Sequence, residues 1–105
     1  MRKIESLMNE AINEALNWKS GNTEVVSEGK ISRVFLHGNQ IATIGEDFVQ
    51  LFDGKHQTNT TKSRLNAILF AHGIDGERVF QKAGQWFFSS QQFGTIPFFS
   101  GMRLN

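Results

Sequence analysis

Val34-Phe35-Leu36-His37-Gly38-Asn39-Gln40-Ile41-Ala42-Thr43-Ile44 is the stretch on which the fold of this chain turns. Two apolar runs flank Gly38-Asn39, a pair that tolerates positive φ and closes a tight hairpin. Ile31–His37 and Gln40–Ile44 are therefore expected to pair antiparallel. Toward the N-terminus the period of two continues through a short strand, Thr23–Ser27, turned by Ser27-Glu28-Gly29-Lys30. Toward the C-terminus Gly45-Glu46-Asp47 turns into Phe48–Phe52, and Asp53-Gly54 makes another tight turn. Four strands joined this closely form an antiparallel meander.

Helical periodicity brackets the meander. Ile4, Leu7, Met8, Ala11, Ile12, Ala15 and Leu16 recur at spacings of three and four and line one face. Arg2, Lys3, Glu5, Glu10, Asn13, Glu14 and Asn17 are assigned to the solvent side, with Lys19 in the last turn and Ser20-Gly21-Asn22 as the stop. A second helix is predicted from Thr60 or Thr61, either hydroxyl serving as N-cap, to about residue 72. Leu65, Ile68, Leu69 and His72 share its inner face, and Gly73 ends it.

The remainder returns to strands: Arg78–Lys82 and Gln85–Ser89 around Ala83-Gly84, then Thr95–Phe99. Pro97, the single proline, cannot donate to a ladder and belongs at an edge or a bulge. The expectation is one domain over residues 1–105, mainly β with helices. An N-terminal helix covers a small, strongly bent antiparallel sheet or open barrel, with a second helix inserted near 61–72. A flat sheet with both helices on one face is the alternative.

Composition narrows the function classes. The chain has 105 residues, 39% hydrophobic and 20% charged, and no cysteine. Those values suit a globular core and exclude disulfides, thiol nucleophiles and cysteine zinc sites. No apolar run nears the ~18 residues a membrane span needs. The N-terminal stretch lacks an apolar signal core, so the expected location is the cytoplasm. Phe occurs 10 times and Tyr never. Aromatics without hydroxyls suit a core or a covered interface. The last third holds Phe80, Trp86, Phe87, Phe88, Phe93, Phe98 and Phe99, more than a thin layer hides. That excess, with the open edges of a bent sheet, predicts a homo-oligomeric ring.

Charge is uneven along the chain. Residues 1–53 carry five Lys and Arg against eight acids, a net of −3, whereas residues 54–105 carry six against two, a net of +4. A basic half suits anions. Within it, Thr60-Thr61-Lys62-Ser63-Arg64 places hydroxyls and cations at a helix start, where free amides favour a phosphate. Lys62 and Arg64 are the expected neutralising charges, and Lys55 and Arg78 extend the track. Trp86-Phe87-Phe88 alternates across a strand, and a strand buried on both faces is the preferred explanation over a base-stacking platform. His37, His56 and His72 share no ligand spacing, so no metal or cofactor is expected. No nucleophile elbow, Walker or dinucleotide pattern occurs, and an enzyme is not expected.

The same stretch, Val34 to Ile44 with Leu36-His37-Gly38-Asn39-Gln40-Ile41-Ala42 at its centre, resembles the second signature of Sm and LSm proteins, where an apolar strand ends in a basic residue, then Gly and Asn or Asp. Taken with Thr60-Thr61-Lys62-Ser63-Arg64-Leu65-Asn66-Ala67, it is similar to a family of small ocean-metagenome proteins of cyanophage type, associated with an Sm-like fold. The resemblance implies ring-shaped homo-oligomers and nucleic-acid binding, with His37 and Asn39 as contact residues. Two departures stand out. About sixty residues follow the signature, and His37 replaces the usual Arg, which removes bidentate gripping. The functional expectation is single-stranded nucleic-acid binding at Thr60, Thr61, Lys62, Ser63, Arg64, His37, Asn39, Lys55 and Arg78. The alternative is a protein-interaction module acting on a host factor.

Overall fold

The computed structural model describes residues 1–104. Two helices and nine strands follow one another as α1 (Lys3–Asn13), β1 (Trp18–Ser20), β2 (Thr23–Glu28), β3 (Ile31–Leu36), β4 (Asn39–Ile44), β5 (Val49–Leu51), α2 (Asn59–His72), β6 (Arg78–Lys82), β7 (Gln85–Ser90), β8 (Gly94–Pro97) and β9 (Met102–Leu104). They form two antiparallel sheets, one ordered β1-β2-β3-β4-β5-β9 and one ordered β6-β7-β8. The single bent sheet or open barrel expected from sequence is thus replaced by two sheets, and the larger one does not close. Its edges, β1 and β9, each pair on one side only.

The meander is where the pattern placed it, with one correction at its centre. Leu36 pairs with Asn39, so the tight turn is His37-Gly38 rather than Gly38-Asn39. Both turn residues adopt positive φ, 51° for His37 and 78° for Gly38. That geometry matches the right-handed twist of the flanking strands. A register shift between Val34 and Phe35 adds a local bend.

The N-terminal helix stops at Asn13, short of the predicted end, because Ala15 turns to φ 54° and Leu16 N–H bonds the Ala11 carbonyl. The freed residues Trp18–Ser20 become an edge strand beside β2, so Lys19 lies in a strand and not in a helical last turn. The buried face of α1 is also rotated from the apolar stripe. Leu16 is largely exposed and Leu7 partly so, while Glu5 and Asn9 are buried with Met8, Ala11 and Ile12. Polar partners on α2 cause this rotation, as described below.

Thr58 rather than Thr60 or Thr61 caps α2, its hydroxyl accepting from Thr61 N–H at 3.1 Å. Leu65, Ile68 and Leu69 face the core as predicted, joined by Ala67, while His72 is only half-buried. Gly73 ends the helix with an extended backbone, not a left-handed one. A side chain there would meet the Leu69 carbonyl at 2.8 Å and Glu77 Oε1 at 2.6 Å, so close approach is what requires glycine. The Asn66 amide then bonds both main-chain groups of Val79, donating at 2.8 Å and accepting at 2.7 Å. It occupies the free edge of β6 much as another strand would, and it fastens the second sheet to α2. Val79, Trp86 and Phe88 from that sheet join the core built by both helices and the larger sheet.

Pro97 ends β8, the edge of the smaller sheet, as its missing donor required. The chain then returns to β5 through β9, which the sequence pattern did not reveal. Gly101 N–H to the Leu51 carbonyl (2.7 Å) and Gln50 Nε2 to the Gly101 carbonyl (2.9 Å) hold that return.

Candidate nucleic-acid interface

The nine residues expected to form one anion track are dispersed over the fold. Arg64 points inward. Its residue is 3% exposed, and its guanidinium contacts Glu5 Oε2 at 2.8 Å, Thr23 Oγ1 at 3.0 Å and Asn22 Oδ1 at 3.4 Å. Ser63 Oγ donates to the same Glu5 oxygen at 2.6 Å. The other carboxylate oxygen accepts from Arg2 N–H at 3.2 Å, which closes one half of a capping box at the start of α1. Burial alone would raise the Glu5 pKa, but hydrogen bonds from Ser63, Arg64 and Arg2 and the Arg64 charge hold it below its ordinary value of 4.5. Arg64 is therefore a structural cation joining two helices and a strand, and, contrary to expectation, its guanidinium is not free to neutralise a phosphate. A charge this deep stays in place only when paired and hydrogen-bonded.

Thr60, Thr61, His37 and Asn39 converge on a cleft of about 220 Å³ between the β3–β4 turn, the Asp53–Thr58 loop and the start of α2. In the sequence these residues form two separate clusters, and the fold brings them together. Thr61 is buried, its hydroxyl 3.2 Å from the His56 carbonyl and 2.8 Å from Thr58 Oγ1, so it secures the loop and is not free for a ligand. His56 and Asp53 also line the cleft, and Lys55 is exposed on the same loop at φ 70°. Lys62 extends the other way, Nζ 3.0 Å from Gln81 Oε1. No three His, Asp or Glu side chains gather as metal ligands among the described residues.

Arg78 belongs to the outer face of β6-β7-β8. Alternation puts Arg78, Phe80 and Lys82 on the side of β6 opposite buried Val79. Registry sets Ser89, Phe87 and Gln85 beside them, then Thr95 and Pro97. Phe80 and Phe87 stack with centroids 5.6 Å apart and planes 25° from parallel. The Arg78 guanidinium carbon lies 4.6 Å from the Phe80 ring centre. No acid occupies any of these eight positions. Trp86 and Phe88 fill the core from the other side of β7, whereas Phe87 is only half-buried. One face of the strand is thus in the core, as expected, and the other is partly open in the single chain.

The match to residues 1–105 decides the relationship. The chain belongs to the Kyanoviridae Gp96 protein family. Kyanoviridae are cyanophages, so the phage affinity expected from sequence holds for the whole chain. No curated protein and no solved structure matches it. The family match shows the phage affinity and no Sm-like relationship, and the six-stranded sheet is open beside a separate three-stranded sheet.

Phe80 and Lys82 of this Gp96 family member are not among the nine residues expected from sequence. Their signal is the alternation Arg78-Phe80-Lys82, two cations around a ring on one strand face. The C-terminal excess of aromatics, to which Phe80 belongs, masks it.

Proposed function

We propose that this cyanophage protein binds single-stranded nucleic acid, with modest affinity and little sequence preference, across the outer face of β6-β7-β8. The observation that carries the reading is the acid-free row in which Phe80 stacks on Phe87 and Arg78 on Phe80. A sheet face of rings and cations offers bases a stacking surface and phosphates a counter-charge, and neither interaction selects sequence. Lys82 contributes at one end, and the side-chain hydroxyls of Ser89 and Thr95 provide polar contacts at the other. The role is one of binding, with no reacting group assigned.

Phe93 and Phe99, both 60% exposed, favour a second reading in which a host protein docks on this part of the molecule. Fluorescence anisotropy with labelled oligo-dT and oligo-rU at two salt concentrations separates the two. Binding should weaken as salt rises, with a slope of about −0.7 per phosphate neutralised. Arg78→Ala should flatten that slope, and Phe87→Ala should weaken affinity by roughly 5- to 100-fold, the scale of one stacked base. Absence of binding at low salt, or variants indistinguishable from the parent, would refute the nucleic-acid reading and leave the protein-docking one.

A further inference from the structure

We infer that Asp75-Gly76, in the turn between α2 and β6, is a site of spontaneous isoaspartate formation, and that Asp53-Gly54, the same dipeptide elsewhere in the chain, is protected from it by the fold. The step needs no reagent but water. Gly76 N attacks Asp75 Cγ, the carboxyl hydroxyl leaves as water with the Gly76 N–H proton, and a five-membered succinimide closes. Water then adds to one of the two ring carbonyls. Addition at Cγ restores aspartate, whereas addition at the main-chain carbon leaves the backbone running through Cβ and Cγ. Nothing is oxidised or reduced, and the mass of the chain is unchanged. Glycine favours the closure because it has no Cβ to crowd the attacking nitrogen.

The two pairs differ in how the fold holds them. Asp75 and Gly76 are both exposed. They are the central residues of a β-turn that Glu77 closes, its N–H donating to the Ile74 carbonyl at 3.1 Å and its Oε1 accepting from Ile74 N–H at 2.7 Å. Both bonds are made by the flanking residues. Among the described residues neither the Asp75 carboxylate nor the Gly76 N–H has a hydrogen-bond partner, and Asp75 joins no ion pair. Closure at Asp75 therefore gives up no side-chain contact. Asp53, by contrast, is tied through its side chain and its main chain. Its Oδ1 accepts from Lys55 N–H at 2.9 Å and its Oδ2 from Gln57 Nε2 at 3.4 Å. Its N–H donates to Ser100 Oγ at 3.1 Å, and its carbonyl accepts from His56 N–H at 3.3 Å. Asp53 and Gly54 are half-buried, and Ile41 Cγ2 lies 2.9 Å from where a Cβ on Gly54 would stand. Bringing Asp53 Cγ onto Gly54 N breaks the contacts of both carboxylate oxygens, and their loss slows the reaction. At Asp75 the product carries one extra methylene in the main chain between Ile74 and Glu77, so the bonds that close the turn lose their register directly before Arg78. The modification stands independently of nucleic-acid binding.

Ageing the folded chain at neutral pH in heavy-oxygen water, followed by trypsin digestion and mass spectrometry, tests the inference. Cleavage after Lys and Arg places the two pairs in separate peptides, residues 65–78 and residues 34–55. In the folded protein the first peptide should split into two chromatographic species of the same sequence and take up heavy oxygen. Its rate should exceed that of the second peptide by at least about tenfold, the scale of the two carboxylate hydrogen bonds that Asp53 must give up. In urea the two rates should converge, because those contacts are gone. Asp75→Glu, whose longer side chain would have to close a six-membered ring, should stop the reaction in residues 65–78. Asp75→Asn reaches the same succinimide with loss of ammonia and should give the same two species sooner. Equal rates at the two pairs in the folded protein overturn the protection of Asp53. No second species and no label in residues 65–78 of the folded protein, while the urea-unfolded chain forms both, overturns the assignment of Asp75.

Discussion

Replacing Arg64 by Met tests whether this cation belongs to the fold or to a ligand. Its side chain and that of Glu5 are 4% and 3% exposed, and their contact is 2.8 Å. Water cannot screen a pair at that depth as it screens surface pairs, which contribute about 0–1 kcal/mol. Removing only the cation leaves the Glu5 carboxylate buried with Ser63 Oγ and one backbone N–H, and leaves the Asn22 and Thr23 oxygens without their donor. Loss of one member of a buried pair costs about 3–5 kcal/mol. A domain of this size is stable by roughly 5–15 kcal/mol, so Arg64→Met should remove about a fifth or more of the total. Urea titration should show the midpoint falling at an unchanged slope. At roughly 4–8 °C per kcal/mol, the melting temperature should drop by at least about 12 °C. The double variant Glu5→Leu/Arg64→Met should recover most of that loss, since an apolar pair in the same space carries no uncompensated charge. Oligonucleotide affinity per folded molecule should be unchanged in the double variant. A cost below about 1 kcal/mol for Arg64→Met, or loss of binding in a fully folded double variant, would refute the structural assignment of this residue.

Two further outcomes follow from the turn and from the titrating groups. His37 and Gly38 both hold positive φ in the β3–β4 turn, so His37→Val and Gly38→Val should each lower thermal stability by about 1–2 kcal/mol, while His37→Asn should be nearly neutral, as calorimetry would register; equal stability of all three variants would contradict the turn geometry. Acidification should destabilise the fold in two windows. Burial keeps His72 below its ordinary value of 6.5, so the unfolded chain takes up that proton first, and stability declines as pH falls through 6.5 toward the folded value. Glu5, also depressed, contributes stability that is present above 4.5 and lost as pH falls through its folded value. A pH series of denaturation midpoints should lose the upper window in His72→Gln and the lower one in Glu5→Gln.

Local interactions were legible in the sequence. The β2–β4 meander, the core side of α2 and the edge position of Pro97 all follow from period, turn chemistry and a missing donor, each set within a few residues. Elements stabilised only by distant partners were not legible. Trp18–Ser20 and Met102–Leu104 are three residues long, too short for a period, and exist as strands because β2 and β5 offer them free edges. The division into two sheets was likewise decided by the Asn66 amide plugging the edge of β6.

The candidate site divides the same way. That residues 54–105 are basic and rich in Phe is a property of the sequence, and so is the alternation that puts Arg78, Phe80 and Lys82 on one side of a strand. Which cations remain available was a tertiary matter. Lys62 and Arg64 are two residues apart and equivalent by composition, yet the turn of the helix aims one at solvent and the other at a carboxylate 59 positions away in the chain. Periodicity reports which side of an element a residue occupies, while the identity of what lies opposite depends on how helices and sheets pack. For Glu5 and Arg64 that opposite partner reversed the expected burial, because a charge enters a core only when its counter-charge is already there.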